Sequence, residues 1–151
     1  WIPPRALARG FCRLMNPDGL PPVRRSACER LRAAITEEPF LLSGENRICA
    51  ALIRSAPGRV YPKNGAEGIY AVGVRDERLP GGGAGVVVEV RDGAERAYWP
   101  VVVAVLRALG LWGAGGTVPE SLRDFATVPV LDTRKRRVGE VRCALPELPA
   151  W

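Results

Sequence analysis

The residues whose types could do chemistry are Lys63-Asn64-Gly65-Ala66-Glu67-Gly68, which lead into Ile69-Tyr70-Ala71-Val72-Gly73-Val74. Lys63 and Lys135 are the two lysines among 22 basic residues, and every other one is arginine. The difference is chemical. A guanidinium keeps its proton inside a protein, whereas a buried lysine amine can lose its proton and serve as a base. The nearby glycines would let backbone approach a ligand, and the alternating apolar run that follows would hold such a turn still. A solvated surface lysine beside a glycine-rich turn is the plainer reading of the same residues. Composition leaves both open.

Histidine is absent. That removes Ser-His-Asp and Cys-His catalysis, and with them most zinc and non-haem iron sites. Cysteines at 12, 28, 49 and 143 form no C-x-x-C pair and follow no secretory leader. They read as reduced thiols of a cytoplasmic protein rather than as a disulfide framework. No apolar run reaches membrane-spanning length, so no membrane partner is expected. The net charge of +6 raises nucleic acid as a partner, but the arginines are scattered and no aromatics interleave them for base stacking. The one basic cluster, Arg134-Lys135-Arg136-Arg137, reads as a solvated hairpin turn, and nucleic acid is not expected as a partner.

The elements that must position Lys63 follow from periodicity and breakers. Pro4 can open a helix with Leu7, Phe11 and Leu14 on one face, ended by Asn16-Pro17-Asp18-Gly19. Pro21-Pro22 reads as loop. A second helix is predicted over 23–37, burying Ala27, Leu31, Ala34 and Ile35, and Pro39 stops it. Ser43 is the candidate N-cap of a third helix carrying Ile48, Cys49, Leu52 and Ile53, which Ala56-Pro57-Gly58 breaks. From 59 the period becomes two. A short extended piece at 59–61 leads into the Lys63 turn, strands are predicted at 66–74 and 85–90 as an antiparallel hairpin, and 76–83 is turn. The second strand is apolar enough to be central. Asp92-Gly93 caps a helix at 94–109 with a kink or late start near Pro100, and Gly110 ends it. Two short strands flank the basic turn in 122–142.

With 151 residues and 47% apolar content the chain can build one core. It divides into N-terminal helices at 1–57 and a sheet-and-helix region at 58–151. The fold class is α+β, an antiparallel sheet packed with helices forming half of an α/β layer. The chain opens on Trp1, and three helices are too few to close the sheet. Part of a domain is therefore expected to be missing, with Lys63 at the border of an open face.

The order of motifs resembles the bacterial L-asparaginase II family, which includes the rhizobial-type enzyme. The resemblance rests on Arg5-Ala6-Leu7-Ala8, Glu38-Pro39, and 44–52 centred on Asn46-Arg47-Ile48-Cys49. Its most specific part is Gly58-Arg59-Val60-Tyr61-Pro62-Lys63-Asn64-Gly65-Ala66-Glu67-Gly68, followed by 85–93 with Arg96, then 106–110 and 138–142. The resemblance implies a partial domain similar to serine β-lactamases and glutaminases, with Lys63-x-Gly65 in the place of their K-T-G strand motif. It implies amide hydrolysis by a lysine-activated serine, with L-asparagine as substrate. Lys63 is the implied catalytic residue, and Cys49, Asn64, Gly65 and Glu67 are implied to bind substrate or lie near the site. Cys49 reads equally well as a buried small hydrophobe.

Family members are roughly twice this length. Their first half carries an S-x-x-K motif, a second serine and a cysteine-lysine-cysteine zinc site, so zinc is a cofactor of the full-length family and none is expected in this chain. None of Ser26, Ser43, Ser55 and Ser121 has a lysine three residues on. The expectation is a C-terminal half, inactive alone and homodimeric when complete. The alternative is a non-catalytic interaction module derived from the same fold.

Overall fold

In the computed structural model, residues 2–91, 93–113 and 115–144 are described. Three strands, β1 (Val60–Asn64), β2 (Ile69–Arg75) and β3 (Gly83–Glu89), form an antiparallel meander in the order β1-β2-β3. The expected hairpin is present, with Tyr70 opposite Val88 and Val72 opposite Val86. Its central strand is β2, not the more apolar β3, which lies at the sheet edge. The correction has a simple cause. β1 reaches past Lys63 to Asn64 and takes the other side of β2.

Alternation along β2 sends Tyr70, Val72 and Val74 to one face and Ala71 and Gly73 to the other. The first face meets α4 (Ile48–Ser55) and α5 (Glu95–Ala108), and the core lies there with Leu52, Ile53, Tyr98, Val102 and Leu106. The second face is covered by α1 (Pro4–Met15). Gly73 and Gly85 are register partners, and the helix backbone sits directly on them. A Cβ on Gly73 would lie 2.6 Å from the Phe11 carbonyl, and one on Gly85 would run into the Ala8 carbonyl. Both glycines are there for close approach.

Asp76, buried at the end of β2, ties the sheet to the end of α5. It accepts from Arg59 and Arg78. Arg59 also donates to the Leu111 carbonyl at 2.8 Å and Arg78 to the Gly110 carbonyl at 2.7 Å. Two cations thus sit at a helix C-terminus, where the helix dipole favours them.

The helices depart from expectation in informative ways. α2 (Pro22–Glu37) begins on Pro22 rather than after a Pro21-Pro22 loop, as a proline's fixed φ allows. No residue of α2 is buried, and Leu31 of the expected stripe is 49% exposed. Arginines at 24, 25, 30 and 32 leave the helix no broad apolar face. A short helix, α3 (Phe40–Ser43), follows, so Ser43 ends a helix instead of capping one. Left-handed residues at Gly44 and Asn46 turn the chain first, and Arg47 becomes the N-cap of α4. Ala94 caps α5, which runs helically through the buried Pro100 without a late start. Asp92, expected in that cap, lies outside the described residues.

Beyond α5 come α6 (Arg123–Ala126), β4 (Thr127–Leu131) and β5 (Arg137–Arg142). The last two pair around the basic turn, as expected. The Asp132 carboxylate organises this turn by accepting the backbone N–H groups of Arg134 and Arg136 at 2.8 and 2.9 Å.

Gly85→Ala is expected to lower stability by about 2 kcal/mol, because the new methyl meets backbone that cannot yield without moving α1. That corresponds to a thermal midpoint lower by about 4–8 °C in a calorimeter. Gly10→Ala, where nothing lies within 4 Å of the added Cβ, is the control and should not destabilise.

Asp76→Asn should cost on the order of 2 kcal/mol near neutral pH, the buried-pair figure discounted because both guanidiniums are half-exposed. The Asp76 carboxyl is held far below its ordinary range, first by the Arg78 hydrogen bond. Its stabilising effect is therefore present above the unfolded value of about 4 and lost as pH falls below it. Urea midpoints of wild type and Asp76→Asn should draw steadily together as pH falls below about 4. A gap that stays constant would mean that Asp76 does not carry its charge into the fold.

Candidate functional site

Lys63 lies within β1, opposite Ala71, one residue before the hairpin turn. It is exposed, and its ammonium donates to the Asn64 carbonyl at 2.8 Å and to Asn64 Oδ1 at 3.3 Å. Gly65 donates its N–H to Ile69 at 2.8 Å and opens the turn. Glu67 and Gly68 are both left-handed, with φ of 57° and 75°. This is why β2 begins at Ile69 and not at 66. Gly68 stacks on the β3–α5 junction, where a Cβ would come 2.5 Å from the Val90 carbonyl, and Val90 donates its N–H to the Gly68 carbonyl at 3.0 Å. The Lys63 hairpin is anchored at its tip.

Beside Asn64 lies a cavity of about 180 Å³. Its walls come from three parts of the chain: Leu42 and Ser43 of α3, Arg47, Ile48 and Cys49 at the start of α4, and Glu95, Tyr98 and Trp99 at the start of α5. Of the residues implied near the site, Cys49 and Asn64 line this cavity. Gly65 and Glu67 are exposed in the turn and do not line it, and Lys63 stands next to it through Asn64.

Cys49 is 1% exposed, and its Sγ lies 3.1 Å from the Tyr70 hydroxyl. Burial pushes its thiol up. The Tyr70 hydroxyl, the Asn64 backbone, Ser43 and the positive charge of Lys63 oppose that, in this order. Lys63 and Cys49 therefore feel one another across Asn64. Tyr70 is fully buried and pushed well up by desolvation, and its ring packs on Tyr98 at 5.0 Å between centroids. Tyr98 is raised to about 12 by burial first and the neighbouring Glu95 second. Neutral, hydrogen-bonding groups thus make the floor of the cavity. The Ser43 Oγ is sealed from solvent and meets no partner at full hydrogen-bond geometry, although it sits near enough to Cys49 to favour a thiolate. At the mouth Arg47 and Glu95 form an ion pair at 3.3 Å.

Of the residues at the cavity, the sequence reading had singled out Cys49 and Asn64, and it gave no site role to Ser43, Tyr70, Glu95 or Tyr98. Tyr70 was within reach, since the hairpin register sets it opposite Asn64 and on the core face. Glu95 is 48 residues from Arg47, and no local pattern joins them.

The zinc that the resemblance implies for full-length relatives finds no fit here. Among the described residues no group of three or more Cys, Asp or Glu side chains is placed to hold a metal ion, and no step is derived through one.

An antiparallel sheet sandwiched by helices, with a lysine-bearing strand beside a small polar cavity, defines an α+β protein. The family model for L-asparaginase II matches residues 1–143, and the chain belongs to that family. No curated protein matches it.

Cys49 should be inert in the folded chain, because it is buried and its thiol is pushed up. With a thiol reagent at pH 8, Cys12, Cys28 and Cys143, all partly exposed, should react first, and Cys49 only on unfolding. Cys49→Ala should leave the count of fast-reacting thiols unchanged. A loss of one fast thiol in that variant would show that the cavity opens to solvent readily.

Proposed function

We propose that this chain supplies the Lys63 wall of an L-asparagine amidohydrolase site whose serine comes from a segment outside it. The family is of asparaginase type. The reaction is L-asparagine plus water giving L-aspartate and ammonia. A serine hydroxyl attacks the side-chain carbonyl as Lys63 takes its proton, Lys63 returns that proton to the nitrogen as the C–N bond breaks and ammonia leaves, and water then cleaves the acyl ester, giving L-aspartate and the free serine. The observation that carries this reading is the placement of Lys63, in a chain of this family, on a rigid hairpin beside a small cavity of neutral hydrogen-bonding groups.

Exposure of Lys63 fits the division of labour. A lysine base needs desolvation. None of the described residues covers the amine, so the surface bearing the serine must supply the cover. The chain alone is therefore inactive. We place the complete enzyme in the cytoplasm, where four free thiols stay reduced, and as a homodimer. No helix among the described residues is long and apolar enough to cross a membrane.

The isolated chain should release ammonia from L-asparagine only at the buffer rate. Joined to, or co-expressed with, the N-terminal half of a family member, it should gain activity. In that assembly Lys63→Arg should lower kcat about 10²–10⁴-fold with the thermal midpoint unchanged. Lys135→Arg, in the solvated turn, should be silent. Wild-type turnover by Lys63→Arg would make Lys63 structural, and activity that never appears would favour the non-catalytic module.

A further inference from the structure

At the mouth of the cavity Glu95 sits within hydrogen-bond range of the buried Tyr98 hydroxyl as well as of Arg47. Arg47 and Glu95 are 57% and 42% exposed, and pairs this exposed add little to stability. Both nevertheless line a cavity whose floor is neutral and hydrogen-bonding. We infer that Arg47 and Glu95 read the zwitterionic head group of an α-amino acid, Arg47 taking the α-carboxylate and Glu95 the α-ammonium. This inference rests on the amidohydrolase reading of the same site and adds the two residues that orient its substrate.

Three further features support the assignment. A cavity of about 180 Å³ suits a ligand of small-amino-acid size, since about 150 Å³ already accepts benzene. Arg47 is the N-cap of α4, where no side chain caps the helix, so the helix start adds its own preference for an anion. A guanidinium fork at that point matches a carboxylate in geometry as well as charge. A zwitterion entering the mouth replaces one 3.3 Å pair by two pairs, and both side chains are exposed enough to swing apart for it. Its side chain then extends past Asn64 toward Lys63.

The test is a titration of the isotope-labelled 151-residue chain, followed by NMR, with four probes. L-asparagine and L-alanine carry the whole head group, succinamate lacks the ammonium and 3-aminopropanamide lacks the carboxylate. L-asparagine and L-alanine should shift resonances of 42–49 and 95–99, and each one-ended analogue should bind at least about tenfold more weakly, the loss expected when a site's charged group is left unpaired. Arg47→Gln should erase the preference for L-asparagine over 3-aminopropanamide, and Glu95→Gln that over succinamate. The swapped pair, Arg47→Glu with Glu95→Arg, restores a structural ion pair but not the head-group reader, so binding should stay lost. Unchanged thermal midpoints keep each comparison to folded protein.

Binding of the one-ended analogues within twofold of L-asparagine, no binding of L-asparagine and L-alanine, or recovery in the swapped pair would each overturn the inference. The two readings fail separately. If Lys63→Arg abolishes turnover in the restored enzyme while the analogues bind equally, only the head-group reader is wrong. If the reader behaves as expected while Lys63→Arg keeps turnover, only the hydrolase assignment is wrong.

Discussion

Burial of β2 on both faces is the constraint from which the rest of the structure follows. A strand covered on one side by α1 and on the other by α4 and α5 must meet two different surfaces with alternating side chains. The sequence answers with large residues at Tyr70, Val72 and Val74 and with small ones at Ala71 and Gly73. The core needs volume, whereas α1 needs its backbone close to the sheet. A one-residue slip of register would exchange those two sets and fit neither side. β1 is fixed by pairing with this strand, and Lys63 is fixed with it.

The same alternation builds the floor of the cavity. Because Tyr70 points to the core opposite Asn64, its hydroxyl meets Cys49 on α4 and its ring meets Tyr98 on α5. One side chain thus joins the sheet to the two longer helices that wall the candidate site. The ionisable groups at that depth, Cys49, Tyr70 and Tyr98, are all pushed up by desolvation, while Arg47 and Glu95 stand at the mouth and Lys63 just beyond Asn64. A site arranged this way presents charge where a polar ligand enters and hydrogen bonds where it comes to rest.

How much of this could be read from the sequence depended on how local the cause was. The β2–β3 hairpin, the basic β4–β5 turn and the apolar face of α4 follow from period and turn chemistry within a few residues, and the sequence reading reached them. The stripe on α2 failed because periodicity reports which residues share a face, not whether anything packs on it. The N-cap at Ser43 failed because Gly44 and Asn46 take left-handed turns that the helical pattern does not reveal. β3 reads as central on its apolar run, but centrality depends on where β1 lands. The cavity was the least legible part, since its walls meet only after α3, α4 and α5 have all found the sheet.

Lys63 shows why resemblance and geometry have to be taken together. Composition marks it as a rare lysine and the motif resemblance implies a catalytic role for it, but the fold leaves it exposed, with its amine on Asn64. An exposed lysine on a rigid strand is a poor general base by itself and a good component of one. The strand fixes its direction, Asn64 holds its ammonium at a defined place, and only the loss of water over it is missing. On the proposed reading, covering the amine with a second surface would desolvate it and deliver a nucleophile in a single event, which ties activity to the meeting of the two surfaces.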